Sequence, residues 1–157
     1  MTSRTEKRSS PCTTAKIDED VGSEGVVFHV HAVERKNELA PGSGLYGNPM
    51  RDHIFLVIDV SIQNNRPKDY EYHIMHAIVK DAEGLRHNTS SAIVGLTELK
   101  VFSPRSYIGY LPLSITLKPG ERMSGFMPVE VPADSTGFVL TYNDRLENVR
   151  VDIALGL

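Results

Sequence analysis

The chain has one cysteine, no tryptophan and no apolar run long enough to cross a membrane. Because a disulfide needs two cysteines, the single Cys12 excludes an intramolecular disulfide and a cysteine-rich zinc site. A transmembrane helix needs about 20 consecutive apolar residues, so we expect none. The net charge of −3 is small and no basic stripe stands out, which argues against a nucleic-acid partner. The 40% of hydrophobic residues is enough to bury one core.

The first 24 residues contain almost no large apolar side chains. Such a segment cannot bury enough apolar surface to offset the entropy that is lost on ordering. We therefore predict a disordered tail over residues 1–24 and one folded domain over residues 25–157. The tail also lacks the apolar core of a signal peptide, so a cytoplasmic location stays open.

Beyond the tail, apolar and polar residues alternate in the way that is typical of half-buried strands. The clearest stretch is "HIFLVIDVSIQ" (53–63), and one face of it carries Ile54, Leu56, Ile58, Val60 and Ile62. The stretch "GVVFHVHAVE" (25–34) has a similar face with Val26, Phe28, Val30 and Ala32. We expect both faces to point into the core, and Asp59 and Gln63 to stay outside it.

Further stretches of the same kind follow, with turn signals between them. They are "YEYHIMHAIVKD" (70–81), "LPLSITL" (111–117), "ERMSGFMPVEV" (121–131), "GFVLTYN" (137–143) and "NVRVDIAL" (148–155), of which the last two form a predicted hairpin. No strand alternates with a long helical pattern, which argues against a parallel sheet with crossover helices. The pattern predicts an all-β fold, an antiparallel β-sandwich of seven to eight strands.

The order of these signals resembles a known family. The strand "FLVIDVSIQNN" is followed by a strand that ends in "DAEG", then by "LKPGERMSGFMPVEVP" and "FVLTYND". This order is similar to that of the immunoglobulin-like domain of unknown function that occurs in bacterial and archaeal surface lipoproteins. The resemblance implies an immunoglobulin-like sandwich at the cell surface or in the extracellular space. It implies no agreed activity, and it carries over no catalytic residues.

Two histidines are the sharpest candidates for chemistry. Alternate residues of a strand share one face, so His29 and His31 should lie side by side, opposite the core face. If residues 25–34 pair antiparallel with residues 53–63, Asp59 joins them and completes a plausible ligand set for zinc or copper. The spacing is not diagnostic of a metal site, however. We therefore expect both histidines to be exposed and to bind neither a metal nor another cofactor.

Other constellations are weaker. Histidine and methionine suit copper, but His73 and His76 fall on opposite sides of a flat strand, and Met75 is expected in the core. Serine, histidine and aspartate are present without the Gly-x-Ser-x-Gly elbow of a hydrolase. We therefore predict that the chain is not an enzyme, with a hydrolase as the third alternative.

Two long segments, 35–52 and 88–110, contain aromatic residues that either form a recognition surface or close the open end of the core. These residues are Tyr46, Phe102, Tyr107 and Tyr110. The favoured interpretation is a non-catalytic binding or adaptor module, at the cell surface or secreted, whose partner is an unidentified protein or cell-envelope ligand. The alternative is a metal-binding module that uses the surface histidines.

Overall fold

The structure, a computed structural model, describes residues 14–37, 51–88 and 111–157. These ranges contain eleven strands and one 3-10 turn, Ile74–His76. The strands are β1 Thr14–Lys16, β2 Asp20–Ser23, β3 Val26–Lys36, β4 His53–Asn64, β5 Tyr70–His73, β6 Ala77–Lys80, β7 Arg86–Asn88, β8 Ser114–Leu117, β9 Arg122–Pro132, β10 Val139–Asp144 and β11 Val149–Ala154. Within these ranges, no helix has the length and apolar character that a membrane crossing requires.

Two larger sheets share one hydrophobic core. The four-stranded sheet has the order β9-β4-β3-β2, the five-stranded sheet has the order β1-β11-β10-β6-β7, and β5 pairs with β8 separately. All neighbouring strands are antiparallel except β1 and β11, which run parallel. The predicted antiparallel β-sandwich is confirmed, and so is the hairpin of the last two strands, but the described residues contain eleven strands instead of seven to eight.

The core forms where the alternation predicted it. Four of the five residues of the predicted β4 face are fully buried, and the fifth, Ile54, is partly buried against them. Burying a side chain of this kind stabilises a fold by about 1.5–3 kcal/mol. Phe55 and Val57 on the opposite face of β4 are buried as well, so this strand is covered on both sides over part of its length.

A β-bulge in β3 overturns part of the predicted face. Val30 pairs with Val60 and Ala32 pairs with Asp59, so His31 is an extra residue on its strand. A bulge of this kind reverses the parity of the residues that follow it. Val33 therefore packs against the core, and Ala32 is exposed instead of buried.

The predicted boundary of the disordered tail at residue 24 is wrong, because two strands lie before it. Within it, β1 pairs with β11, β2 pairs with β3, and Ala15 is buried in the core. Both short strands lie at the edges of sheets, where the free N–H and C=O groups of the neighbouring strand accept a further strand without large apolar side chains. Residues 1–13 lie outside the described residues.

The stretch at residues 70–81 is not one continuous strand. The 3-10 turn divides it into β5 and β6, and it reverses the side to which the following side chains point. Tyr72 and Ile74 are buried before the break, and Ala77 and Val79 are buried after it. Met75 is 69% exposed, so its predicted place in the core is wrong. The four aromatics of the predicted recognition loops lie outside the described residues.

Candidate functional site

An open cavity of about 560 Å³ lies at the surface beside β5, the 3-10 turn and the turn between β10 and β11. This volume lies within the range of small-ligand pockets. We call it the acidic groove, and its lining residues are Asp69, Glu71, His73, Met75, His76, Thr116, Asp144, Leu146 and Glu147. The lining contains four carboxylates, two imidazoles and, among the described residues, no lysine or arginine.

Only one of the four groove carboxylates forms an ion pair with a described lysine or arginine. Arg66 Nη2 lies 2.7 Å from Oε1 of Glu147, and the guanidinium also stacks over the Tyr70 ring. Asp69 and Glu71 are exposed, and no cation in the described part of the chain forms an ion pair with either. The groove therefore keeps an excess of negative charge.

Asp144 is the buried end of the groove. Its Oδ2 accepts a 2.8 Å hydrogen bond from the Tyr70 hydroxyl, and its Oδ1 accepts bonds from the backbone N–H groups of Leu146 and Glu147. The Tyr142 hydroxyl lies 2.7 Å from that of Tyr70 and accepts from the backbone N–H of His73. Since Tyr70 donates to Asp144, Tyr142 is left to donate to Tyr70. A directed chain of hydrogen bonds thus joins the groove to the core.

Three buried tyrosines support this chain. Burial raises the pKa of Tyr142 to about 12, and it raises the pKa values of Tyr70 and Tyr72 above their usual range. The hydroxyls therefore stay protonated at neutral pH and act as hydrogen-bond donors. The Tyr72 ring stacks on the Tyr142 ring, and no described group forms a hydrogen bond with the buried Tyr72 hydroxyl.

The 3-10 turn brings His73 and His76 together, which a flat strand would have prevented. Their ring centroids lie 6.0 Å apart. Nδ1 of His73 accepts from the backbone N–H of Met75, so the proton of the neutral ring is on Nε2. The edge of the His76 ring contacts Tyr142, and its Nε2 lies 3.9 Å from Oδ1 of Asp144. Both imidazoles thus line the same groove as the carboxylates.

A second group of polar residues lies beside β3, and we call it the histidine cluster: Asp18, Asp20, His29 and His31. The predicted pairing of β3 with β4 is confirmed, and the His29 and His31 rings lie 4.4 Å apart. Both are half-buried, not fully exposed as expected. Nδ1 of His29 lies 2.7 Å from Oδ1 of Asp20, and its Nε2 lies 3.5 Å from Oδ1 of Asp18.

The third member of the predicted ligand set is different. Asp18, His29 and His31 each offer one ligand atom, and these three atoms lie within 4.8 Å of one another. Asp59 is not part of this group; it pairs with Ala32 beyond the bulge. The carboxylates of the cluster come instead from the turn and the strand of the predicted tail. The sequence signal that could have found them is the acidic run Asp18-Glu19-Asp20 just before the strand.

The fold is that of a β-sandwich domain, and the two sites are polar clusters at its surface. Residues 15–150 match the family described as a domain of unknown function, DUF4352, so the chain belongs to that family. The predicted resemblance to an immunoglobulin-like domain of unknown function is thereby confirmed. No curated protein matches the sequence.

Solved structures show the same fold at low sequence identity. The yjhA protein of Bacillus subtilis is 16% identical, with a TM-score of 0.61 over 90% of this chain and 99% of that chain. The ycdA protein of Bacillus subtilis subsp. subtilis str. 168, described as a candidate lipoprotein, is 12% identical, with a TM-score of 0.59 over 86% of this chain and 38% of that chain. An uncharacterized β-sandwich protein of Clostridium difficile 630 is 9% identical, with a TM-score of 0.50 over 92% and 95%.

Proposed function

We propose that this domain is a non-catalytic binding module of the cell surface, and that its acidic groove receives a cationic side chain of a partner protein. The observation that carries the proposal is the lining of the groove, which has four carboxylates and no described lysine or arginine. The likeness to a candidate lipoprotein supports the cellular location at the level of fold.

The exposed part of the groove combines charge with apolar surface. Asp69 and Glu71 supply negative charge without a described counter-ion, whereas Met75 and Leu146 are 69% and 91% exposed. Both are among the four large hydrophobic residues that the described part of the chain exposes. A lysine side chain matches this combination, because an apolar stem of four carbons carries its ammonium group. A segment of the partner that contains lysine is therefore the occupant that we propose.

The hydrogen bonds of Asp144 support binding instead of catalysis. Its carboxylate accepts one bond from Tyr70 and two from backbone N–H groups, and donors of this kind fix a negative charge in place. Burial raises the pKa values of Tyr70 and Tyr142, so both hydroxyls hold their protons more tightly than usual. The two tyrosines at the buried end of the groove are therefore poor proton-transfer groups, and they hold the Asp144 carboxylate in one orientation.

A short lysine peptide tests the proposal on the full chain by calorimetry. We expect the variant Asp69→Asn/Glu71→Gln to bind the peptide at least about tenfold more weakly, which is ~1.4 kcal/mol. The control Glu34→Gln/Glu83→Gln removes the same two charges from exposed positions outside the groove and should bind as the unchanged chain does.

The same peptide with acetylated lysines separates a seated ammonium group from contact with the peptide backbone. We expect no binding of the acetylated form, because acetylation removes the positive charge. Equal weakening in the groove variant and the control variant would show unspecific attraction between charges and would refute the groove as the site. Absence of binding by the unchanged chain at low salt would refute a cationic partner.

A further inference from the structure

Contrary to the expectation from the sequence, we infer that Asp18, His29 and His31 form a binding site for a divalent transition-metal ion such as Zn²⁺. The site lies beside β3, and none of its residues lines the acidic groove. The inference does not depend on the proposed function, since either site can bind its ligand without the other.

One distance between ligand atoms of the cluster already matches that in a zinc site. Zinc in tetrahedral coordination, with bonds of about 2.0–2.1 Å, separates its ligand atoms by roughly 3.3 Å. Nε2 of His29 and Oδ1 of Asp18 are 3.5 Å apart. The complete set of three ligand atoms spans at most 4.8 Å, so rotations of the exposed Asp18 side chain and of the half-buried imidazole rings would bring it to coordination distance. Two imidazoles and one carboxylate are ligands that zinc accepts.

Asp20 prepares His29 for this role. Its Oδ1 lies 2.7 Å from Nδ1 of His29, so the Nδ1–H of the ring donates to the carboxylate. The remaining nitrogen, Nε2, lies 3.5 Å from Oδ1 of Asp18, so a metal ion that binds this nitrogen also has the carboxylate within reach. A carboxylate behind a histidine is also the usual support of a metal-bound imidazole.

Ser61 forms the corresponding hydrogen bond to the ring of His31. Its Oγ accepts from Arg122 Nη2 at 3.0 Å and lies 2.8 Å from Ser124 Oγ and 2.6 Å from Nε2 of His31. A metal bound at Nδ1 of His31 requires the tautomer that carries its proton on Nε2. Ser61 accommodates this tautomer when it accepts from Arg122 and from the Nε2–H of His31 and donates to Ser124.

The backbone holds the ligands in place. His31 is the extra residue of the β-bulge, and bulges re-aim side chains next to functional sites. Asp18 has a left-handed backbone with a φ of 68°, and its N–H donates a 2.8 Å bond to the carbonyl of Val30, on the strand that carries the histidines. These features place the ligands before a metal arrives, as a preorganised site requires. Three protein ligands leave a fourth position for water.

Calorimetry of the full chain with Zn²⁺, and separately with Cu²⁺, tests the site. We expect one ion to bind with a Kd below about 1 µM, and the variant His29→Ala/His31→Ala to bind at least about 100-fold more weakly. The control His53→Ala removes an imidazole that lies outside the cluster and should keep the affinity. Circular dichroism of each variant without metal verifies that the fold is intact.

Two further variants separate a metal site from adventitious binding by histidine. Asp18→Asn keeps both imidazoles and removes one ligand charge, and Asp20→Asn leaves the ligands intact and removes the support of His29. We expect both to weaken Zn²⁺ binding, Asp20→Asn by about 10–100-fold. The absorption bands of bound Co²⁺ should indicate tetrahedral coordination in the unchanged chain. Binding that survives the double histidine substitution, or a Kd weaker than about 1 µM in the unchanged chain, would refute the inference.

Discussion

The acidic groove and the histidine cluster combine aspartate with histidine, but they differ in burial. Asp144 of the groove is 3% exposed and is joined to the core through Tyr70 and Tyr142. Asp18 of the cluster has a side chain that is 76% exposed, and it belongs to a turn. A buried polar group that loses its partner destabilises the fold, whereas an exposed group regains its hydrogen bonds from water. The same residue types therefore contribute more to stability at the buried end of the groove than they do at the exposed cluster.

Alkaline pH should have the largest effect on the free energy of unfolding, and it should act through the buried tyrosines behind the groove. The pKa of Tyr142 is raised from 10.0 to about 12 by burial, so the folded state favours the neutral hydroxyl. Its contribution to stability is complete below pH 10 and is lost as the pH rises towards 12. We expect tyrosinate absorbance of the core tyrosines to appear together with the loss of β-sheet circular dichroism.

The comparison of the two regions supplies the control for this titration. The His29→Ala/His31→Ala variant should unfold at the same alkaline midpoint as the unchanged chain, because it does not alter the tyrosines. If the absorbance of all six tyrosines rose near the ordinary pKa of tyrosine while the fold stayed intact, ionisation of the buried tyrosines would not be the cause of alkaline unfolding.

Substitution of Tyr70 should have the next largest effect on the free energy of unfolding. Tyr70→Phe removes the hydroxyl that donates to Asp144, and a hydrogen bond to a charged group contributes about 1.5–3 kcal/mol. Tyr72→Phe is a matched control, since it removes a hydroxyl for which the described residues provide no partner. We expect it to change the free energy of unfolding by less than about 0.5 kcal/mol. Denaturation with urea measures both, and equal losses would show that the hydrogen bond from Tyr70 to Asp144 does not contribute this stability.

The smallest effect on stability should come from the histidine cluster without metal. The contacts of His29 with Asp18 and Asp20 join a half-buried ring to exposed carboxylates, and such pairs contribute little. We expect His29→Ala to change the free energy of unfolding by less than about 1 kcal/mol in the presence of a chelator. A larger loss under these conditions would assign His29 a structural role and would weaken the contrast between the two regions.

The sequence allowed the prediction of those parts of the fold that depend on local alternation. The buried face of β4 follows from the spacing of Leu56, Ile58 and Val60 alone. The bulge at His31 and the 3-10 turn before Ala77 did not follow, because packing between distant strands decides whether a strand stays regular. The strands of the predicted tail were missed because they have only three and four residues, and Ala15 and Val21 are the only side chains in them that pack against the core.

The candidate sites were predictable to a lesser degree. His29 and His31 were found because alternate residues of a strand share a face, but Asp18 reaches them from a separate turn. The groove was missed, since Tyr70 and Asp144 meet only when β5 packs against the turn that follows β10. The proposed roles of Tyr46, Phe102, Tyr107 and Tyr110 remain predictions.

The parallel pairing of β1 with β11 has a mechanical consequence. Thr14 lies beside Asp152 and Lys16 lies beside Ala154, so the chain enters β1 at one end of this pair and leaves β11 at the other. Tension applied between the two ends of the domain would pull the strands along their length in opposite directions. The hydrogen bonds between them would then carry the load together, as in a shear joint, and would not open one after another. A domain held at one end and pulled by a partner at the other would resist extension at this pair first.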